Sequence, residues 1–194
     1  GKTFNRYQTT SFEKQTIANV AEVFIQNVNA FALTTDGEVY GWGDGGAGLL
    51  ANATGTDIYG NLQGLRVVTP SKIPGLPPVR QLGFSQGTAF ALLVDGTVMA
   101  WGQDSGKLLG NGVQRATLKP TRVPGLSNIS TMAASFGGDG LRFKTHDGTV
   151  IAWGGGIYSL RLGYEIYSPI VIKTPEPVRH MIGRGSGFSV YYAS

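Results

Sequence analysis

Three aspartates recur beside the same neighbour, as Asp36-Gly37, Asp95-Gly96 and Asp147-Gly148. Carboxylates repeated in this way could ligate a metal or act as acid and base. The plainer reading is structural. Each Asp is expected to open a tight hairpin turn, because Asp-Gly supplies the positive φ such turns need. The two histidines, His146 and His180, have nothing in the sequence to bring them together, and a metal site wants several ligands close by. The chain has no cysteine, which excludes disulfides, thiolate metal sites and cysteine nucleophiles. It has no Gly-x-Ser-x-Gly elbow between a strand and a helix. Gly183-Arg184-Gly185-Ser186-Gly187 is glycine-rich and basic, but no helix follows to complete a phosphate cradle. By this reading no residue is catalytic, none binds a cofactor, none ligates a metal, and no enzyme is expected. Asn52-Ala53-Thr54 and Asn128-Ile129-Ser130 match a glycosylation sequon, a pattern common by chance.

The residues that could recognise another molecule are aromatic and arginine side chains on stretches that do not repeat. Tyr and Arg are favoured in protein interfaces. One group is Tyr59, Leu62 and Arg66, within or beside a polar, glycine-rich insertion at residues 53–65. The other is Tyr158, Arg161 and Tyr164, in and beside residues 156–163, where Leu160 and Leu162 could instead simply pack. The expected partner is a protein or a surface ligand.

The elements that must position these loops are repeats. Phe-Ala-Leu-Thr-Thr-Asp-Gly-Glu-Val-Tyr-Gly-Trp-Gly, beginning at Phe31, returns in close form at Phe90 and more loosely at Leu141. Trp42, Trp101 and Trp153 are the three tryptophans, 59 and 52 residues apart. A period of roughly 50 to 60 residues with strand-like pieces implies about one four-stranded unit per repeat. Alternating apolar residues predict first strands at 20–26, 79–84, 129–134 and 178–183, and second strands at 30–34, 88–93, 140–144 and 188–192. Third strands follow at 39–42, 98–101 and 150–153, and fourth strands at 66–69, 120–123 and 169–173. Phe143 stands one residue further from its Asp than Leu33 does, which predicts a bulge or wider turn in the third copy. Pro74-Gly75-Leu76 and Pro124-Gly125-Leu126 turn the chain into the next unit. Trp is expected to pack within the repeat, and almost no helix is expected.

The units are 1–15 (the trailing strand of an earlier blade), 16–74, 75–124, 125–174 and 175–194 (the first half of a fourth repeat). The phrase apolar-x-Leu-x-x-Asp-Gly-x-Val-x-x-Trp-Gly, with Leu108-Leu109-Gly110-Asn111-Gly112 and the Pro-containing stretch at 120–126, resembles the regulator-of-chromosome-condensation repeat. The resemblance covers nearly the whole chain from about Tyr7. It implies an all-β fold, a β-propeller of four-stranded blades, about 3.5 of them here, where the family closes a ring of seven. A segment of a seven-bladed ring is favoured over completion by self-association or a second chain. Eukaryotic members carry Cys-Gly-x-x-His before the second strand. Residues 83–89 and 134–141 hold neither Cys nor His, which is closer to bacterial members. No motif carries over the family's nucleotide-exchange activity.

Hydrophobic residues make up 41% of the 194 and charged residues 14%, with 30 glycines and 9 prolines. That is enough for a core and suits many tight turns. The net charge of +4 is scattered rather than clustered, so nucleic acid is not an expected partner. No apolar run reaches the roughly 20 residues of a membrane helix. The expected setting is bacterial and extracellular or cell-surface rather than cytoplasmic, with a spacer in an adhesin-like protein as the alternative function.

Overall fold

The computed structural model describes residues 16–56, 62–85, 87–104, 108–110, 116–134, 141–154, 166–184 and 187–192. The predicted trailing strand at 7–14 lies outside them. Three four-stranded antiparallel sheets follow one another along the chain. The first contains β1 (Val20–Gln26), β2 (Asn29–Thr34), β3 (Val39–Gly43) and β6 (Val67–Lys72). A small hairpin of β4 (Gly55–Thr56) and β5 (Leu62–Gln63) is inserted before β6. The second sheet contains β7 (Val79–Ser85), β8 (Thr88–Leu93), β9 (Val98–Gly102) and β10 (Thr117–Arg122). The third contains β11 (Ile129–Ala134), β12 (Leu141–Thr145), β13 (Val150–Gly154) and β14 (Ile166–Ile172). A two-stranded unit of β15 (Val178–Arg184) and β16 (Gly187–Tyr192) comes last. The helical content among the described residues is one 3-10 turn at Gly46–Gly48. The all-β propeller architecture read from the repeats is therefore the observed one.

The fourth strands begin earlier than predicted in the second and third blades, at Thr117 and Ile166. Each fourth strand carries a proline, Pro70, Pro120 or Pro169. The ladder to the third strand shifts register across it and then resumes. Proline cannot donate to a ladder, so it belongs on an edge strand or at an irregularity. These strands are edges, and the proline there discourages pairing with another chain.

Alternation divides each blade into two apolar faces. Phe31, Leu33 and Val39 point toward the second blade, where they meet Val79, Leu82, Phe84, Ala89, Ala91 and Trp101 in one core. Phe31 and Phe84 sit with ring centroids 4.5 Å apart. Phe90, Leu92 and Val98 point the other way, toward Met132, Leu141, Phe143 and Trp153 in a second core. Phe143 stacks on Trp153 at 4.8 Å with an interplanar angle of 4°. The cores thus lie between blades, and each blade is glued to the next by apolar surface removed from water.

The third copy does not widen its turn. Thr145 and Thr149 bond as Thr34 and Glu38 do, and the β12–β13 ladder runs without a shift from Leu141 to Lys144. The extra residue is taken up by register instead. Counting back from the turn, Leu141 and Phe143 occupy the places of Ala30 and Ala32, while Arg142 and Lys144 occupy those of Phe31 and Leu33. A one-residue slip moves every side chain to the opposite face, so the third blade turns its large residues back toward the second.

Candidate functional site

The repeated residues are absorbed by the scaffold. In each hairpin the glycine N–H donates to the carbonyl three residues back, as Gly37 to Thr34, Gly96 to Leu93 and Gly148 to Thr145. Positive φ falls on the glycine alone, at 83°, 76° and 86°. The turn is a three-residue loop closed by a left-handed glycine, with the Asp in second place, rather than the two-residue turn expected from Asp-Gly. Each Asp accepts from a threonine of its own hairpin: Asp36 from the Thr34 hydroxyl, Asp95 from the Thr97 hydroxyl and N–H, and Asp147 from the Thr145 hydroxyl and Thr149 N–H. These bonds favour the charged form and hold all three carboxylates below the usual aspartate range. Arg122 adds a smaller effect of the same sign at Asp95.

The turns also join the blades. Val79 N–H donates to Gly37 O, Ile129 N–H to Gly96 O and Val178 N–H to Gly148 O, at 2.9, 3.0 and 2.9 Å. A Cβ on Gly37 would lie 2.8 Å from Val79 N, so glycine is required there by contact as well as by φ. The tryptophans serve the same seams. Trp101 Nε1–H donates to Leu49 O at 2.8 Å and Trp153 Nε1–H to Leu108 O at 2.7 Å, each reaching the preceding blade. Arg80 bonds the carbonyls of Ile129 and Ser130, and Gln81 bonds both backbone groups of Met132. Among the described residues no three His, Cys, Asp or Glu side chains gather as a metal site would require. No helix there is long and apolar enough to cross a membrane.

The unrepeated loop end of the first blade is built differently. Asn52 grips Leu65 from both sides: its Nδ2 donates to Leu65 O at 2.7 Å and its Oδ1 accepts from Leu65 N at 3.3 Å. Asn52 is thus engaged as a brace, whatever its sequon. Thr54 N–H donates to Gln63 O, closing the β4–β5 hairpin. Gly45 and Gly64 approach so closely that a Cβ on Gly64 would stand 2.0 Å from Gly45 O. Asn29, itself buried, accepts from Gly45 N–H at 2.9 Å. Around this base Val28, Leu65 and Arg66 are exposed to water, as are Asp44, Thr54 and Gln63.

Of the predicted recognition residues, Arg66 is exposed on this rim and Leu62 lies in β5. Tyr59, Tyr158, Arg161 and Tyr164 fall outside the described residues. Val28 and Leu65 were missed, although each is an apolar residue alone among polar or glycine neighbours, Asn27-Val28-Asn29 and Gly64-Leu65-Arg66. A separate groove of about 330 Å³ runs along the first strands and is lined by Val23, Phe24, Ile25, Leu82, Phe84 and Met132. It is apolar, with glutamines as its polar lining and no titratable group for chemistry.

The sequence pattern of the Regulator of chromosome condensation (RCC1) repeat matches residues 95–140. The match runs from the second Asp-Gly turn, past Trp101 and its glycine-rich loop, to the threshold of β12. The chain resembles RCC1-repeat proteins. It is 29% identical over 129 residues to the ultraviolet-B receptor UVR8 of Arabidopsis thaliana, covering 65% of this chain and 27% of that protein. It is 26% identical over 217 residues to the guanine nucleotide exchange factor SRM1 of Saccharomyces cerevisiae, covering 96% of this chain and 45% of that protein. In the crystal structure of Prp20p from the same yeast, reported with its binding to Gsp1p and histones, the likeness has a TM-score of 0.67 at 21% identity. It covers 89% of this chain and 43% of Prp20p. The chain therefore spans less than half the length of these relatives.

One expectation is overturned. The relatives are eukaryotic proteins, among them UVR8, the mitochondrial RUG3 and SRM1, and not bacterial or extracellular ones. The bacterial, adhesin and cell-surface reading falls with that finding. It leaned on the absence of the motif's Cys and His from residues 83–89 and 134–141.

Proposed function

We propose that this chain is a non-catalytic protein-binding module and that its docking surface is the loop end of the first blade. The observation that carries this is a division of labour. The repeated Asp, Gly and Trp are spent on turns and seams, while the inserted hairpin is braced by Asn52 and surrounded by exposed Val28, Leu65 and Arg66. A preorganised platform that carries an arginine suits an interface hot spot. Tyr59 and Leu62 belong to the same loop and join this surface in the proposal. Tyr158, Arg161 and Tyr164, from the third repeat, remain a second candidate group on the sequence alone. The units 16–74, 75–124, 125–174 and 175–194 are the blades that present these loops.

The probes follow from the proteins named with Prp20p. Purified chain is titrated with Gsp1p and with histones on a biosensor, beside Leu65→Asp and Arg66→Ala. Saturable binding to one of them, weakened at least about tenfold by either substitution, is expected of a truncated hot spot. Release of labelled guanine nucleotide from Gsp1p on adding the chain would overturn the non-catalytic part of the reading.

A further inference from the structure

The prolines of the three fourth strands sit in the dipeptides Thr69-Pro70, Lys119-Pro120 and Ser168-Pro169. Of these, the first alone joins a hydroxyl ahead of the proline to a cation two residues after it, in Thr69-Pro70-Ser71-Lys72. The second has Arg122 in the cation's place but a lysine where the hydroxyl would be, and the third has Ser168 but Val171 in the cation's place. A hydroxyl, a proline directly after it and a basic residue shortly beyond form the kind of side-chain and charge pattern by which proline-directed kinases choose substrates.

The fold presents this segment to such an enzyme. β6 is the last strand of its sheet and bonds β3 on one side only. The ladder pairs Val67 with Gly43 and Ser71 with Gly41, so Val68, Thr69 and Pro70 stand together opposite Trp42 and bulge from the sheet. Val68 is 72% exposed, and Thr69, Ser71 and Lys72 are exposed with it. Among the described residues the Thr69 hydroxyl makes no hydrogen bond, while the Thr69 carbonyl accepts from the Ser71 hydroxyl at 3.2 Å. Lys72 pairs with Glu38, but both are at the surface, where such a pair is weakly held. An edge strand already has the extended backbone in which a peptide is read, with one side of it unpaired. Pro70 brings no N–H to be left unpaired in an enzyme's apolar pocket, as any other residue in its place would.

We propose that Thr69 is a phosphorylation site for a proline-directed serine/threonine kinase. Thr69 Oγ attacks the γ-phosphorus of Mg-ATP, the bond from that phosphorus to the β–γ bridging oxygen breaks, and ADP leaves. The hydroxyl proton passes to the kinase's catalytic carboxylate. The product places a charge of about −1.5 to −2 and three acceptor oxygens on an edge that carried a neutral hydroxyl. The site is in the strand, so the inference does not depend on what the loop-end rim binds.

The test incubates the folded full chain with Mg-ATP and a purified kinase of the cyclin-dependent class, and locates phosphate by mass spectrometry of the digest. Phosphate at Thr69 is expected, and its loss in Thr69→Ala. Pro70→Ala should lower the kcat/KM of the kinase for the chain at least about tenfold, and Lys72→Ala should lower it as well. Circular dichroism of Thr69→Ala and Lys72→Ala should match that of the parent chain. The proposal is overturned by no phosphate at Thr69 of the folded chain, whether or not a synthetic peptide of residues 64–75 accepts it. Preference for Ser168, or a rate indifferent to both Pro70→Ala and Lys72→Ala, would overturn it too.

Discussion

Trp101 Nε1–H donates to the carbonyl of Leu49, 52 residues earlier in the chain, at 2.8 Å, with the indole wholly buried between two blades. Trp153 repeats the bond to Leu108 at 2.7 Å. Replacing Trp101 with Phe removes packed volume and strands the Leu49 carbonyl. The expected cost is about 2–4 kcal/mol. Trp42→Phe removes a half-buried ring whose indole has no acceptor among the described residues and should cost less than about 1 kcal/mol. Urea unfolding followed by circular dichroism checks the contrast. Equal losses at the two sites would show that Trp101 acts only as bulk.

The turn glycines separate backbone strain from contact. Gly37 and Gly75 both have positive φ, 83° and 77°. A Cβ at Gly37 would meet Val79 N and O at 2.8 and 2.9 Å, whereas at Gly75 nothing lies within 4 Å. Gly75→Ala is expected to cost about 1 kcal/mol, the left-handed penalty alone. Gly37→Ala should cost at least about twice that, because the next blade must move away. Comparable melting temperatures for the two variants would contradict this.

Much of the fold was legible because the sequence repeats. Phe31 and Phe90, Trp42 and Trp101, and the Asp-Gly pairs fix the strands by mutual alignment. The turn type was not legible, since Asp-Gly serves both two- and three-residue loops and only the Gly37-to-Thr34 bond distinguishes them. The extra residue between Phe143 and Asp147 was visible, but a bulge and a register flip leave the same mark in a sequence. The flip shows only in the Leu141–Trp153 pairing. At the loop end, Arg66 was singled out by its type. Val28 and Leu65 were not, because a single apolar residue on a surface is ordinary until the backbone beneath it is seen to be clamped.

The aspartates make stability fall in acid. Asp36, Asp95 and Asp147 have folded-state pKa values lowered chiefly by threonine hydroxyls. Below the ordinary value of about 3.9 the unfolded chain takes up protons before the folded chain does. The carboxylate contribution is therefore complete above that value and is lost as the pH drops through the folded values. All three groups are at the surface, so each share is small. Asp147→Asn should leave the folded chain with a shallower loss of melting temperature between pH 5 and about pH 2.5. An unchanged acid slope would show that the Thr145 bond does not favour the charged form.

The seam and the rim should be separable. Arg66→Ala and Leu65→Asp alter exposed side chains outside the seam and should shift unfolding by no more than about 0.5 kcal/mol. Asn52→Ala removes both holds on Leu65 and should loosen the rim without touching Trp101 or Trp153. Amide exchange at Leu65 and Gln63, rising while the exchange of the two buried indoles stays fixed, is the expected outcome. Parallel loosening of the indoles would show that rim and seams form one unit.

The repeated Asp, Gly and Trp hold the blades together, and the first blade's rim is proposed to recognise a partner. The most direct test is the affinity of the folded chain for Gsp1p and for histones, measured with Leu65→Asp and Arg66→Ala beside Asp95→Asn as a scaffold control. Saturable binding of one protein, weakened at least about tenfold by the two rim substitutions and unchanged by Asp95→Asn, is the predicted result. Binding indifferent to both rim substitutions, or no binding of either protein, would contradict it.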